Sequence, residues 1–427
     1  MPSKVILSIN AGSSSLKVSV FSYHPPSSSD PKALATIQVT GLTAPPATLR
    51  YDRGDQHIKS QPLPETDVNG QETAYEYIIQ HLTSDAGLPE LSYPDDIEFA
   101  CHRVVHGGDY DRPVRIDRDT FHRLEELSDL APLHNAGALT IVKAVHDKCP
   151  KASNIAFFDN AFHQNLPEAA RTYAIDQKVA KRNKLRKYGF HGLSYAFITR
   201  SVAAHLAVPA EELNIVALHL GSGASACCIK GGQSIDTSMG LTPLDGLPGA
   251  TRSGSVDPSL IFHFTHDAGK LSPGSSKGMH ITEAEEILNK KSGWQALTGT
   301  TDFGAISAKA GEGDAACKLA FDIFVDRITD FVAAYHVKLG GKVDALVFAG
   351  GIGEKGARLR QAVVENVACL GFALDEGRNT KPDGEAVVTD IGKEGGSKHR
   401  VLICQTDEQA EMARECVQDA DSLRRPT

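Results

Sequence analysis

Two arginines in this chain stand where a solvated cation has little reason to be. Arg103 lies in HRVVHGG at 102–108, inside an apolar strand pattern, and Arg252 lies in GATRSG at 249–254 among small residues. A guanidinium in such a setting is costly unless it meets an anion. One such arginine alone reads as half of a structural salt bridge. Two of them, beside separate glycine-rich turns, read as a clamp for a planar carboxylate or a phosphoryl group. Asp159 in AFFDNAFH and Glu408 in QTDEQ are expected at strand ends, where the carboxylates of α/β sheets meet ligand or metal. Mg²⁺ takes one or two carboxylates together with water and substrate phosphates. Asp407, next to Glu408, reads better as a helix cap. Three histidines stand out by setting: His134 in LAPLHN, His191 in YGFHG and His219 in ALHLG. His191 precedes an expected helix N-terminus, whose positive end favours a neutral imidazole that donates to an oxygen.

Phosphate chemistry needs backbone N–H groups that side chains do not obstruct. NAGSSSLK at 10–17 offers such a tip, with several hydroxyls and Lys17 beyond the turn. It is not a Walker A loop, because the second glycine is missing and a strand follows. GSGASA at 221–226 has the spacing of a dinucleotide fingerprint, but CCIKGG continues as a strand where that fingerprint needs a helix. Either loop alone is as well read as a plain hairpin turn. AGGIGEK near residue 350 is a third small-residue turn, and the three together favour a nucleotide.

The elements that must position these groups repeat. NIVALHLGSGASACCIK at 214–230 echoes the opening VILSINAGSSSLKVSV, with Gly223 set against Gly12, Leu220 against Ile9 and Ser225 against Ser14. Each copy is an apolar strand, a Gly/Ser turn and a second strand, which predicts a duplicated domain with a cleft between the copies. Apolar spacing predicts helices over 136–149, 194–206 and 318–337. Buried strands are expected over 154–158, 343–348 and 401–404, and a surface excursion over 380–398.

Composition sets the frame. A chain of 427 residues with 41% hydrophobic and 23% charged residues suits a two-domain globular protein. A net charge of −9 argues against nucleic acid or an anionic membrane as the main partner. The opening residues lack the pattern of a secretory signal, and no segment approaches the ~18 apolar residues that span a bilayer. The eight cysteines form no CxxC pair, so reduced, packed thiols in the cytoplasm are expected.

In order and approximate spacing, INAGSSSLK, HRVVHGG, LAPLHN, FFDNAFH, YGFHG, HLGSGAS, GATRSGSVDP and AGGIGEK resemble the acetate kinases, from residue 5 to about 412. That family lies in the acetate and sugar kinase, Hsp70 and actin superfamily. The resemblance implies an α/β fold of two duplicated actin-like (ribonuclease H-like) domains, mixed sheets flanked by helices. The expected domains are 1–160 plus 395–427, with the phosphate hairpin and acetate residues, and 161–394, with the nucleotide loops. The implied reaction is reversible, direct in-line phosphoryl transfer between ATP and acetate, giving acetyl phosphate and ADP. Arg103 and Arg252 are implied to hold the acyl phosphate, with Asp159 beside the reacting oxygens, His191 donating to them and His134 assisting. Val105, Leu133, Phe190 and Pro243 match the pocket for the acetate methyl. Asn10 and Glu408 match the positions that place Mg²⁺, with Mn²⁺ as a substitute. Ser13, Ser15 and Lys17 match the phosphate hairpin. His219, Gly221, Ser222, Gly223, Asp302, Phe303, Gly304, Gly350, Gly351, Ile352 and Gly353 match nucleotide-binding positions. A homodimer is implied as well. Ser222, Gly304 and Lys355 depart from many relatives, all on the nucleotide side, so loose base selection is expected. The alternatives are a non-catalytic nucleotide switch, a pyrophosphate donor, or propionate or butyrate as the acid.

Overall fold

Nearly continuous apolar runs such as VILSI and ALVFA have little polar surface to offer water, and they form the centres of two sheets. The protein, seen as a computed structural model, is described over residues 3–12, 14–25, 30–44, 46–127, 132–264, 270–272, 275 and 281–424, without the side chains of 132–134, 136 and 264. Met1–Ala161 with Asp407–Thr427 forms one compact unit, and Phe162–Thr406 forms a second.

The first unit carries β1 (Lys4–Ala11), β2 (Ser15–Tyr23), β3 (Lys32–Thr40), β4 (Thr48–Arg53), β5 (Gln56–Pro62), β6 (Ile97–Val104), β7 (Val114–Arg115) and β8 (Ser153–Phe158). They are ordered β5-β4-β3-β2-β1-β6-β8-β7. β1 and β2 form the expected hairpin, with Asn10 opposite Lys17. β1, β6 and β8 run parallel to one another. Val5, Leu7, Ile9, Val18 and Ile37 join Tyr75 and Ile78 of the helix Gln71–Ser84 and Ile141 and Val145 of the helix Pro132–Lys148 in one core. Strands covered on both faces tolerate no polar alternation, which is why β1 reads as a nearly continuous apolar run. At the far edge, β5 is largely exposed and carries Lys59 and Pro62, residues that discourage further pairing.

The second unit carries β9 (Asn214–Leu220), β10 (Ala224–Lys230), β11 (Gln233–Thr237), β12 (Ala345–Ala349), β13 (Val388–Asp390) and β14 (Arg400–Cys404), ordered β11-β10-β9-β12-β14-β13. β9 pairs antiparallel with β10 and parallel with β12, which is parallel to β14. This is the connectivity of β2-β1-β6-β8 repeated, so the duplication read from the two Gly/Ser hairpins extends to the strand order. The helix Ala315–Lys338 is started by Asp314, whose side chain accepts from the Cys317 N–H. Its Phe321, Phe324, Ile328 and Tyr335 recur at helical spacing and enter the core of this unit.

Two expectations need correction. Residues 395–406 belong to the second unit, because β14 pairs with β12, and the chain returns to the first unit only at Asp407. AGGIGEK, expected as a turn, contains a short helix, Gly350–Lys355. Gly350 takes φ +74°, where a Cβ would meet the Leu220 backbone at 2.7 Å. The excursion over 380–398 contributes the short edge strand β13.

Candidate functional site

Parallel strands deliver side chains at their carboxyl ends, and both units use this. In the first, Asn10 and Arg103 are the penultimate residues of β1 and β6, and Asp159 follows β8. The Arg103 guanidinium is gripped as a fork by Asp159, with Nε donating to Oδ1 at 2.9 Å and Nη2 to Oδ2 at 2.7 Å. Its Nη1 donates to Asn10 Oδ1 at 3.4 Å and lies 3.2 Å from Glu408 Oε2. The Asn10 amide donates to the same Glu408 oxygen at 3.4 Å. The Asp159 side chain is only 1% exposed, so this charge is stable only because the cation meets it bidentately. Burial disfavours the charged form of Arg103, but Asp159 and Glu408 outweigh that and raise its pKa. Burial raises the Glu408 carboxyl above its usual range, against the Arg103 charge that lowers it and with Asp159 adding to the rise. Asp407 caps the helix Glu408–Gln418 by accepting from the N–H groups of Gln409 and Ala410, as expected for it. That cap places Glu408 in the first turn.

In the second unit, His191 is the residue before the helix Gly192–Leu206 and holds φ 58°, a left-handed conformation that L-residues adopt at a cost. Its Nδ1 meets Ser225 Oγ at 2.8 Å. Its ring stacks on His219 with centroids 4.1 Å apart, and His219 Nδ1 meets Ser194 Oγ at 2.8 Å. His191 Nε2 and Arg252 converge on the hairpin tip. A Cβ on Gly223 would stand 3.0 Å from Arg252 Nη1 and 3.6 Å from His191 Nε2. Ser222 is exposed, and its carbonyl accepts from the Ala250 N–H at 2.9 Å, which ties the tip to the segment bearing Arg252.

The other expected residues divide between the units. Val105 is half-buried just beyond β6, and Ser15 and Lys17 lie on β2. Ser13 and the side chains of Leu133 and His134 lie outside the described residues. Phe190 and Pro243 are buried in the second unit. Asp302 caps the helix Phe303–Glu312 through the Ala305 N–H, and Gly304 is that helix's second residue. The Phe303 ring is 5% exposed, with centroids 5.1 Å from Trp294 and from Phe324, so it serves the core of its unit. Ile352 packs against that core, Gly350 and Gly353 are buried, and Gly351 is exposed.

Sequence reasoning missed the hydroxyls that hold the histidines. Tyr195 Oη meets Ser225 Oγ at 2.5 Å, and Thr406 Oγ1 meets Ser194 Oγ at 2.8 Å. The available signal was spacing, since Tyr195 lies one helical turn after His191. It also missed Arg360, which is buried and donates to the Gly353 and Glu354 carbonyls at 2.8 Å each, capping the Gly350–Lys355 helix.

The acetokinase family model matches residues 5–414. A probable acetate kinase of Emericella nidulans is 55% identical over 418 residues, covering 97% of this chain and 98% of that one. A propionate kinase structure from Francisella tularensis matches with a TM-score of 0.82 at 33% identity, covering 96% of this chain and 98% of that one. An acetate kinase structure from Porphyromonas gingivalis matches with a TM-score of 0.80 at 29% identity, covering 98% and 99%.

Proposed function

This chain belongs to the acetokinase family and is a kinase, and we propose that it moves a phosphoryl group reversibly between ATP and acetate, giving acetyl phosphate and ADP. The observation that carries this reading is the Arg103 cluster, a guanidinium held by Asp159 with the oxygens of Asn10 and Glu408 at its other nitrogen. Phosphoryl transfer asks the protein for position and positive charge more than for covalent chemistry. Arg103 and Arg252 each offer a planar fork to the transferring group, and Asp159 keeps Arg103 oriented. His191 presents Nε2 as a hydrogen-bond donor, with His134 assisting. Val105, Leu133, Phe190 and Pro243 take the acetate methyl. Ser13, Ser15, Lys17 and Gly221–Gly223 hold nucleotide phosphates. Asp302 and Gly304, with Gly350–Gly353, shape the rest of the nucleotide site.

Asn10 and Glu408 suit a hard divalent cation. The Asn10 amide nitrogen donates to Glu408 and its oxygen accepts from Arg103, so the two side chains are neighbours, and an amide oxygen with a carboxylate is a donor set that Mg²⁺ completes with water and phosphate oxygens. Among the described residues, no group of three or more His, Cys, Asp or Glu side chains forms a fuller cage. We therefore assign Mg²⁺ to Asn10 and Glu408, with Mn²⁺ as a substitute. When bound, the cation neutralises charge on the nucleotide phosphates. A cytoplasmic homodimer acting on small molecules is our reading of the remainder. The eight free thiols, seven of them buried, suit a reducing compartment, and among the described residues no helix is long and apolar enough to cross a membrane.

Trapping acetyl phosphate with hydroxylamine, in the presence of acetate, ATP and Mg²⁺, tests the assignment. Absence of the hydroxamate would overturn it. The likeness to a propionate kinase favours propionate as a second acid, since one methylene is worth only ~1–3 kcal/mol of discrimination. Val105→Ala is expected to raise kcat/KM for propionate relative to acetate. An unchanged ratio would remove Val105 from the methyl pocket.

A further inference from the structure

His191 is useful as a donor only if its hydrogen sits on Nε2, and two hydroxyls that no substrate need touch decide this. Tyr195 is fully buried, and burial drives its phenol well above the ordinary range, so it stays protonated. A fully buried phenol must place its hydrogen on an acceptor. The Tyr195 hydrogen goes to the acceptor it meets among the described residues, Ser225 Oγ at 2.5 Å. Ser225 then has a single hydrogen to give, and its remaining side-chain partner among the described residues is His191 Nδ1 at 2.8 Å. A ring nitrogen that accepts carries no proton, which leaves the imidazole hydrogen on Nε2.

We propose that Tyr195 and Ser225 are positioning residues that lock His191 as the Nε2–H tautomer, so that the nitrogen beside Gly223 and Arg252 is a donor. The backbone supports the arrangement. The left-handed φ of His191 sets its ring against β10 while its carbonyl accepts the Tyr195 N–H at 3.0 Å, joining both ends of the relay to one turn of helix. Ser225 pairs across the sheet with His219, whose ring stacks on His191. The inference rests on the proposed role of His191 in phosphoryl transfer, but its first readout does not depend on activity.

The test is ¹⁵N–¹H correlation of the full-length protein labelled in histidine, with His191→Gln identifying the His191 signals. The expected wild-type spectrum shows a protonated Nε2 and a bare, hydrogen-bonded Nδ1. In Ser225→Ala and in Tyr195→Phe, protonated Nδ1 should rise to a measurable fraction. kcat should fall in proportion to the loss of Nε2–H, about twofold for a half-converted ring, with KM for acetate little changed. Ser225→Thr keeps the hydroxyl and should keep the wild-type signals. A proton on Nδ1 in the wild type, or signals unmoved in both Ser225→Ala and Tyr195→Phe, would overturn the relay. Shifted tautomers with undiminished turnover would support the relay and remove His191 from the transfer instead.

Discussion

At the scale of single residues, a double variant separates the structural role of Arg103 from the transfer role we propose for it. Arg103→Ala leaves Asp159 buried without its partner, which costs about 3–5 kcal/mol of stability. On the proposed role, it also removes a fork from the transferring phosphoryl. Adding Asp159→Leu should restore much of the stability in urea unfolding, while turnover recovers in neither variant. Arg103→Lys keeps the charge but cannot span both Asp159 oxygens, so kcat should still fall on the order of 10²-fold. Turnover near wild type in that variant would make Arg103 a purely structural cation. Gly223 tests the second unit in the opposite way. Its backbone is not in the left-handed region, and an added Cβ meets the movable end of Arg252 first. Gly223→Ala should therefore fold normally yet lose about 10²-fold in kcat/KM, because a displacement near 1 Å disturbs transfer geometry. Equal activity would mean that Arg252 does not work from the place it holds beside Gly223.

At the scale of elements, β6 carries a buried histidine beside Arg103. His102 is 1% exposed, its Nε2 meets Asn154 Oδ1 at 2.7 Å, and its Nδ1 has no partner among the described residues. Burial lowers its pKa from 6.5 to about 4, with the Asn154 bond opposing. The unfolded chain therefore binds a proton that the folded chain refuses between these values. Its contribution to stability is whole above about pH 6.5, falls as pH drops, and has been lost by about pH 4, a change of about 3 kcal/mol. His102→Gln should flatten the decline in urea-unfolding free energy between pH 7 and 4.5. An unaltered slope would show that another group governs acid sensitivity. The β6 strand is thus anchored by a neutral ring one residue before it presents the charged Arg103 side chain.

At the scale of the whole molecule, the parts we propose for phosphate and those we propose for the base follow different rules. The two Gly/Ser hairpins that flank β1 and β9 are intact, whereas Gly304 carries no side chain beyond the Asp302 cap and Lys355 is exposed at the end of its short helix. ATP should serve as donor, GTP should be tolerated unusually well, and pyrophosphate should be poor. Initial rates with acetate and each donor at matched Mg²⁺ decide this. Strong pyrophosphate activity without ATP activity would overturn it. A strict ATP preference would show that Gly304 and Lys355 do not select the base.

What the sequence by itself determined follows from local physics. Apolar runs made β1, β9 and β12, helical spacing made Ala315–Lys338, and the echo of INAGSSS in HLGSGAS announced a repeated strand order. The arginine in an apolar strand announced an anion. Only tertiary structure decided which anion. Asp159 lies 56 residues from Arg103 in sequence and Glu408 lies 305 away, and no local pattern reports a pairing across that distance. For the same reason β14 was misassigned, since a five-residue apolar strand fits either sheet until its hydrogen bonds to β12 are made. GGIGEK became a helix because its start packs Gly350 on Leu220 and its end is capped by Arg360, contacts that outweigh the low helix propensity of three glycines. The placement of His191 joins both levels. The glycine-flanked YGFHG turn was visible as a motif, but the hydroxyls of Tyr195 and Ser225 meet its ring only after a helix and a strand have packed.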